Sequence, residues 1–305
     1  MPDILFHFWN LIPITFAQGL IISFVTAGIM LPFRILGFPD LTSEGTYPLG
    51  GCVCAVLMLA DVDPLIAMTL AMVCGFAAGA CTAFIHLRFG INTLLAGILV
   101  MTMLYSINLR ILGRSNAALF SKENIFTPFV DSGADETLLK IVLVGAVVAA
   151  LFTGLWYFLK TERGAAMRAV GASPEMAEAQ GINNFRYTLV GVGIASAFTA
   201  LGGSIMVQSQ GFADVNMGFG ILINGLAALM IGEAILGRES VGRQLAAPFI
   251  GTLIYYQLVS LCLSFGLAPS DLKLATGGFV LLMLALPRLK KGNRGATPVR
   301  EQVKE

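Results

Sequence analysis

Charge is scarce in this chain. Asp, Glu, Lys and Arg supply only 12% of its 305 residues, about half the share usual in a soluble domain. That deficit argues against a soluble enzyme of this length. Net charge is +1, which gives no electrostatic footing for nucleic acid. Histidine is nearly missing. His7 and His86 lie far apart in sequence, and no H-E-x-x-H pair is present to hold a catalytic zinc. A paired intramembrane carboxylate motif is missing too, so the sequence offers no machinery for a membrane-embedded enzyme. No G-x-x-x-x-G-K-[ST] run occurs, hence no phosphate-cradling loop for ATP. The five cysteines (Cys52, Cys54, Cys74, Cys81, Cys262) sit inside apolar runs with no metal-ligand spacing beyond one C-x-C, and they read as small packing residues. The first residues carry no basic region and no small-residue cleavage site, so the first span is expected to direct insertion without being cleaved. Alternation of apolar and polar residues is also missing, which argues against an outer-membrane barrel.

What is present is long apolar sequence. Hydrophobic residues make up 56% of the chain, and they fall in charge-free runs. Such runs cover Ile4 to Phe33, Pro64 to Leu87, Phe89 to Leu109, Ile141 to Leu159, Tyr187 to Ala213, Val215 to Gly232 and Gln244 to Ser270. Crossing the hydrocarbon core takes roughly 20 apolar residues. Lipid cannot satisfy backbone polar groups, so these runs must be helical. The expectation is an all-α polytopic membrane protein of about 8–10 transmembrane helices. Nine spans are expected, near 9–31, 42–60, 64–86, 90–112, 139–159, 187–210, 216–236, 244–266 and 269–287. The second is short, and the last keeps Asp271 and Lys273 near one end. Residues 1–287 form one transmembrane domain in this reading, and 288–305 a flexible basic tail.

Basic residues favour the cytoplasmic side. Arg34, Arg88, Arg238 and Arg243, the segment with Lys160, Arg163, Arg168 and Arg186, and the tail with Arg288, Lys290, Lys291 and Arg294 all fall on one side of the nine-span pattern. Asp61, Asp63, Asp131, Asp135 and Asp214 fall on the other. Arg110 and Arg114 are exceptions. The C-terminus is thus expected in the cytoplasm and the N-terminus outside. The outer stretch from Gly113 to Thr137 is long enough for a surface helix that docks a partner, or for a plain connection.

The segment 160–186 is the most informative. Ser173-Pro174-Glu175 is a helix start: Ser as N-cap, Pro in the first turn, acid against the positive dipole end. Gly181 is a stop signal. A helix of about two turns cannot hold itself in water. It must pack on the ends of the spans, either as a simple connector or with one face offered to a partner.

This segment, E-R-G-A-A-M-R-A-V-G-A-S-P-E-M-A-E-A-Q-G-I-N, resembles the cytoplasmic loop of bacterial ABC importer permeases of the branched-chain amino acid and ribose permease family. Gly164, Arg168, Ala169, Gly171, Ala177, Ala179, Gly181 and Ile182 match the family pattern. D-L-T-S-E-G-T-Y-P-L-G-G, from Asp40 to Gly51, resembles its L-T-x-E-G motif at the start of the second span. The stretch from Gly90 to Gly113 looks like the branch of tryptophan- or tyrosine-type permeases. The resemblance implies an importer for an amino acid or related solute in the bacterial cytoplasmic membrane, working by alternating access. It implies that the short helix couples to an ATPase, through Gly164, Arg168, Gly171, Ser173, Pro174, Glu175, Ala177, Glu178, Ala179 and Gly181. No cofactor is expected on this chain. ATP would be used by a separate ATPase subunit, an extracytoplasmic solute-binding protein would deliver the solute, and a second permease subunit would complete a homodimer.

Ionisable and polar groups within spans are candidates for the solute path. Glu44 comes first. It sits between Pro39 and Pro48, a pattern that suggests a broken or re-entrant helix start. Two roles fit it: lining the path, or capping a helix start by accepting backbone N–H groups. Asn92, Tyr105, Asn108 and Asn224 are the other candidates, with Asn92 and Thr93 equally suited to capping. Interhelical hydrogen bonding competes as a role for the whole group. Glu233 is on nearly the opposite face of its helix from Asn224, and Arg238 or Arg243 is its expected partner. Gly75 and Gly79 form a G-x-x-x-G suited to close helix approach. A stand-alone secondary transporter or channel is the competing function. It would need ion-coupling groups deep in the membrane, where Glu44 is the clear candidate.

Overall fold

The computed structural model describes residues 2–120, 122–130 and 136–264, with 274, 277 and 278 beyond them. Helix α1 (Pro2–Met30) runs on into a π-helical turn (Leu31–Ile35). Helices α2 (Ser43–Leu59), α3 (Pro64–Phe89) and α4 (Thr93–Leu112) follow. Strand β1 (Asn116–Ala118), the short α5 (Thr127–Val130) and α6 (Glu136–Lys160) come next. Then come α7 (Glu162–Ala172), α8 (Pro174–Ala179) and α9 (Asn184–Gln210). Strand β2 (Phe212–Asp214), a 3₁₀ turn (Val215–Gly218), α10 (Ile221–Leu236) and α11 (Val241–Ser264) complete the described chain.

Seven of these segments are long and apolar enough to cross a membrane: Leu11–Ile35, Pro64–Phe89, Thr93–Leu112, Glu136–Lys160, Asn184–Gln210, Val215–Leu236 and Val241–Ser264. They match seven of the nine expected spans. The second expected span is α2. Its 17 residues reach roughly 26 Å at 1.5 Å per residue, short of the hydrocarbon thickness. The ninth, 269–287, and the basic tail lie outside the described residues.

Short α2 is tolerated because protein, not lipid, surrounds it. Most of its residues are buried. So are most residues of α1 after Thr15 and of α9. These three helices form the centre, and α4 and α6 lie at the periphery with exposed apolar faces. Glycine sets the central contacts. A Cβ at Gly203 of α9 would stand 2.0 Å from the Tyr47 carbonyl oxygen, and one at Gly50 of α2 would stand 2.0 Å from the Ala200 carbonyl oxygen. The G-x-x-x-G of α3 serves the same purpose. Gly75 and Gly79 lie against Ser196 and Ala200 of α9, as small-residue packing between membrane helices requires.

Contacts at the two ends of the bundle agree with the expected alternation of spans. At one end, Glu233 of α10 is buried and bonded to two arginines, Arg34 at 2.7 Å and Arg238 at 2.6 Å. Arg238 was an expected partner and Arg34 was not. Arg243 instead pairs with Glu239, four residues before it, at 2.8 Å. Lys160 covers the Trp156 ring at this end, its Nζ 3.7 Å from the centroid. At the other end Lys122 pairs with Asp61, and β1 pairs antiparallel with β2 in the register Asn116↔Asp214. The long stretch 113–137 therefore folds onto the bundle through a two-stranded ribbon, and α5 is its one short helix among the described residues.

The buried acceptor shared by two guanidiniums carries a stability prediction. Glu233→Leu leaves both arginines unpaired at a helix end. Charged hydrogen bonds contribute about 1.5–3 kcal/mol each. The thermal midpoint in detergent is expected to fall accordingly, and an unchanged midpoint would refute the role given to this ion pair.

Candidate functional site

Two helices begin inside the bundle instead of at its ends. The first is α2. The chain leaves the π-helical turn through Gly37, whose φ is 61°, and runs without regular structure to Thr42. The Asp40 carboxylate accepts from the Thr42 amide at 2.8 Å and from the Thr42 hydroxyl, and that hydroxyl also meets Thr82 Oγ1 of α3 at 2.8 Å. These bonds fix where α2 starts. Its first turn lies against Met101 and Leu104, in the middle of α4. The broken start expected from Pro39 and Pro48 is thus present.

The second is α10. After β2 the chain turns inward. Asp214 caps the 3₁₀ turn by accepting from the Asn216 amide at 2.8 Å. Gly218 then approaches the backbone of α2 so closely that a Cβ would stand 2.0 Å from the Glu44 carbonyl oxygen. Gly220 adopts φ 83°, a conformation open to glycine at no steric cost, and α10 begins at the next residue. Glu44 Oε1 accepts from the Gly220 amide at 3.3 Å. Glu44 therefore caps a helix start, but that of α10 and not of its own helix.

Between these two helix starts and α4 lies a cavity of 180 Å³. Glu44 and Pro48 of α2 line it, with Met101, Tyr105 and Asn108 of α4 and Phe219 from the turn before α10. The Tyr105 and Phe219 rings form one wall, their centroids 6.3 Å apart. Asn108 is fully buried, and its amide nitrogen donates to the Gly45 carbonyl at 3.2 Å. The structure thus brings Glu44, Tyr105 and Asn108 together. Asn92 stands apart: it is exposed and caps α4, accepting from the Leu94 amide at 3.0 Å. Asn224 is also elsewhere, accepting from the Tyr255 hydroxyl at 3.0 Å across α10 and α11. Phe219 was not foreseen. Its position depends on the inward turn after β2, which leaves no periodic signal.

The second group of candidates sits at the arginine-bearing end. Ser173 caps α8, its Oγ accepting from the Met176 amide at 3.4 Å. The helix stops as expected: Gly181 has φ 78°, and the Ile182 amide donates back to the Ala177 carbonyl at 3.0 Å. The preceding helix α7 was not anticipated, although Thr161 and Glu162 carry an N-cap and a first-turn acid. Gly164, Arg168 and Gly171 belong to α7 and face the bundle. A Cβ at Gly164 would stand 2.4 Å from Leu159 Cα, and one at Gly171 would stand 1.8 Å from the Ile35 carbonyl oxygen. Arg168 Nη1 donates to the Leu159 carbonyl at 2.9 Å, capping α6. On α8, Ala177 is buried, whereas Pro174, Glu175, Met176, Glu178 and Ala179 are exposed.

A multi-pass helical bundle, a small cavity where two helices start in mid-span, and a short exposed helix at one end together define a membrane transport protein. The chain belongs to the family described as branched-chain amino acid transport system / permease component, whose profile matches residues 12–285, and it is a permease subunit of an ABC importer. A tyrosine transport system permease protein of Clostridioides difficile (strain R20291) is 37% identical over 292 residues, covering 94% of this chain and 96% of that protein. An uncharacterized protein of Rickettsia prowazekii is 31% identical over 286 residues, covering 92% and 99%. The ribose import permease protein RbsC of Escherichia coli (strain K12) is 24% identical over 241 residues, covering 78% and 70%. No solved structure matches the chain.

Proposed function

We propose that this subunit carries an amino acid or related small solute, aromatic in side chain, inward across the bacterial cytoplasmic membrane by alternating access. The cavity beside Glu44 is part of the solute path, and α8 seats the ATPase. Similarity to a tyrosine transport system permease protein supports the solute class. The Tyr105–Phe219 wall supports an aromatic body. The positive-inside bias of Arg34, Arg88, Arg186 and Arg238 supports a cytoplasmic position for α8 and for the C-terminus.

One observation carries the ATPase assignment. Met176, within α8, is 70% exposed, while its neighbour Ala177 is 3% exposed. Ala177 anchors the helix to the bundle, and Glu175, Met176, Glu178 and Ala179 form its outward face. The chain has no nucleotide loop of its own, so ATP is hydrolysed on a separate subunit. Glu44, near the middle of the bundle, lines a cavity that opens beside the exposed face of α4. Lipid cannot solvate a carboxylate. A second copy of this chain covers that opening, and an extracytoplasmic solute-binding protein docks at the end that carries the β1–β2 ribbon.

A Met176→Cys variant tests the seat of α8. It should form a disulfide or bifunctional cross-link with the co-expressed ATPase subunit, and the link should depend on nucleotide state. Cross-linking equal to that of an exposed outer control, Phe120→Cys, would refute the assignment.

A further inference from the structure

We infer that Asn108 and Glu44 together form a subsite for the ammonium group of the solute. The inference rests on the reading that the cavity beside Glu44 lies on the solute path.

Asn108 supplies the main observation. Its side chain is fully buried, and its Oδ1 has no hydrogen-bond partner among the described residues. The amide orientation is fixed, because Nδ2 donates to the Gly45 carbonyl. Flipping the group would set oxygen against oxygen. Buried polar atoms are nearly always bonded, so an orphan acceptor in a cavity wall needs a reason. A ligand that donates a hydrogen bond there supplies one.

The rest of the cavity wall narrows the ligand. Glu44 adds a carboxylate, which is an acceptor and accepts from the Gly220 amide. Thr102 spends its hydroxyl proton on the Leu99 carbonyl at 2.8 Å. Among the described residues, no Lys, Arg or His lines the cavity. Its polar groups therefore favour a donor, and the carboxylate favours a positive one, since charge attraction strengthens where water is excluded. A primary ammonium has three donors and can meet both Glu44 and Asn108. The remaining wall is apolar and aromatic, from Pro48, Met101, Tyr105 and Phe219. At 180 Å³ the space is below the range of about 300–1,000 Å³ for drug-sized ligands. The class of ligand is a small amine with an apolar or aromatic body.

Binding to the chain in lipid nanodiscs tests this with four probes: L-tyrosine, tyramine, 3-(4-hydroxyphenyl)propionate and D-ribose. L-Tyrosine and tyramine should bind and compete with each other, and the other two should not. Asn108→Leu should weaken both amines on the order of tenfold, and Glu44→Gln, an isosteric change that keeps an acceptor for the Gly220 amide, by tenfold to a hundredfold. The inference is overturned if the propionate binds as well as tyramine, if D-ribose displaces L-tyrosine, if no probe binds, or if Glu44→Gln leaves amine binding unchanged. Failure of the underlying path reading looks different. Met101→Trp, which fills the cavity, would then leave ATP-driven uptake by the assembled importer intact.

Discussion

Met176→Glu is expected to abolish ATP-driven uptake while leaving the purified subunit folded and monodisperse. The side chain is exposed, so the substitution disturbs no packing within the chain. It places a third carboxylate beside Glu175 and Glu178 on the outward face of α8, the face proposed to seat the ATPase. Loss of a central interface residue costs about 2 kcal/mol or more, roughly a 30-fold loss in assembly. The check is co-purification of the ATPase subunit together with uptake in vesicles. Retained ATPase binding with normal uptake would show that α8 is only a connector. Ala177 is a poorer probe. It is buried against the bundle, so a bulky charge there would displace α8 and confound docking with local unfolding.

Gly203→Ala is expected to destabilise the bundle more than any surface change. The added methyl would stand 2.0 Å from the Tyr47 carbonyl oxygen, which is backbone and cannot rotate away. Helices α2 and α9 must separate, and the reciprocal contact of Gly50 with Ala200 opens with them. Overpacking of this kind costs about 3 kcal/mol. The thermal midpoint in detergent should fall sharply, and expression with it. A control at Gly154 of α6, where a Cβ meets nothing within 4 Å, should leave the midpoint unchanged. Equal behaviour of the two variants would refute the close crossing of α2 and α9.

Much of this architecture was legible in the sequence because lipid leaves the chain few options. Apolar length alone located α3, α4, α6, α9 and α11 to within three residues at each end, and the C-terminal ends of α1 and α10, whose starts were seven and five residues off. Capping chemistry located α8, since Ser173, Pro174 and Gly181 act locally. The site was harder. Glu44 and Asn108 stood out as polar groups in apolar surroundings, and the structure brings them to one cavity with Tyr105. Asn92 was equally suited in sequence to the path or to capping, and the structure makes it the cap of α4, a choice that only the position of the preceding turn decides. Phe219 and the α10 start depend on a chain reversal held by Gly218 and Gly220 against α2. That is a long-range contact with no trace in local periodicity. The Arg34–Glu233 bond was missed for the same reason: its partners are far apart in sequence, and Arg238 was the nearer choice.

The central claim is that this chain provides a solute path powered by a separate ATPase. The most direct test is solute uptake into proteoliposomes, with L-tyrosine as the probe and the solute-binding protein supplied on the extracytoplasmic side. The account predicts accumulation only when the ATPase subunit and ATP are both present, and none from a proton or sodium gradient alone. Accumulation driven by an ion gradient, with this chain as the only protein in the membrane, would contradict it.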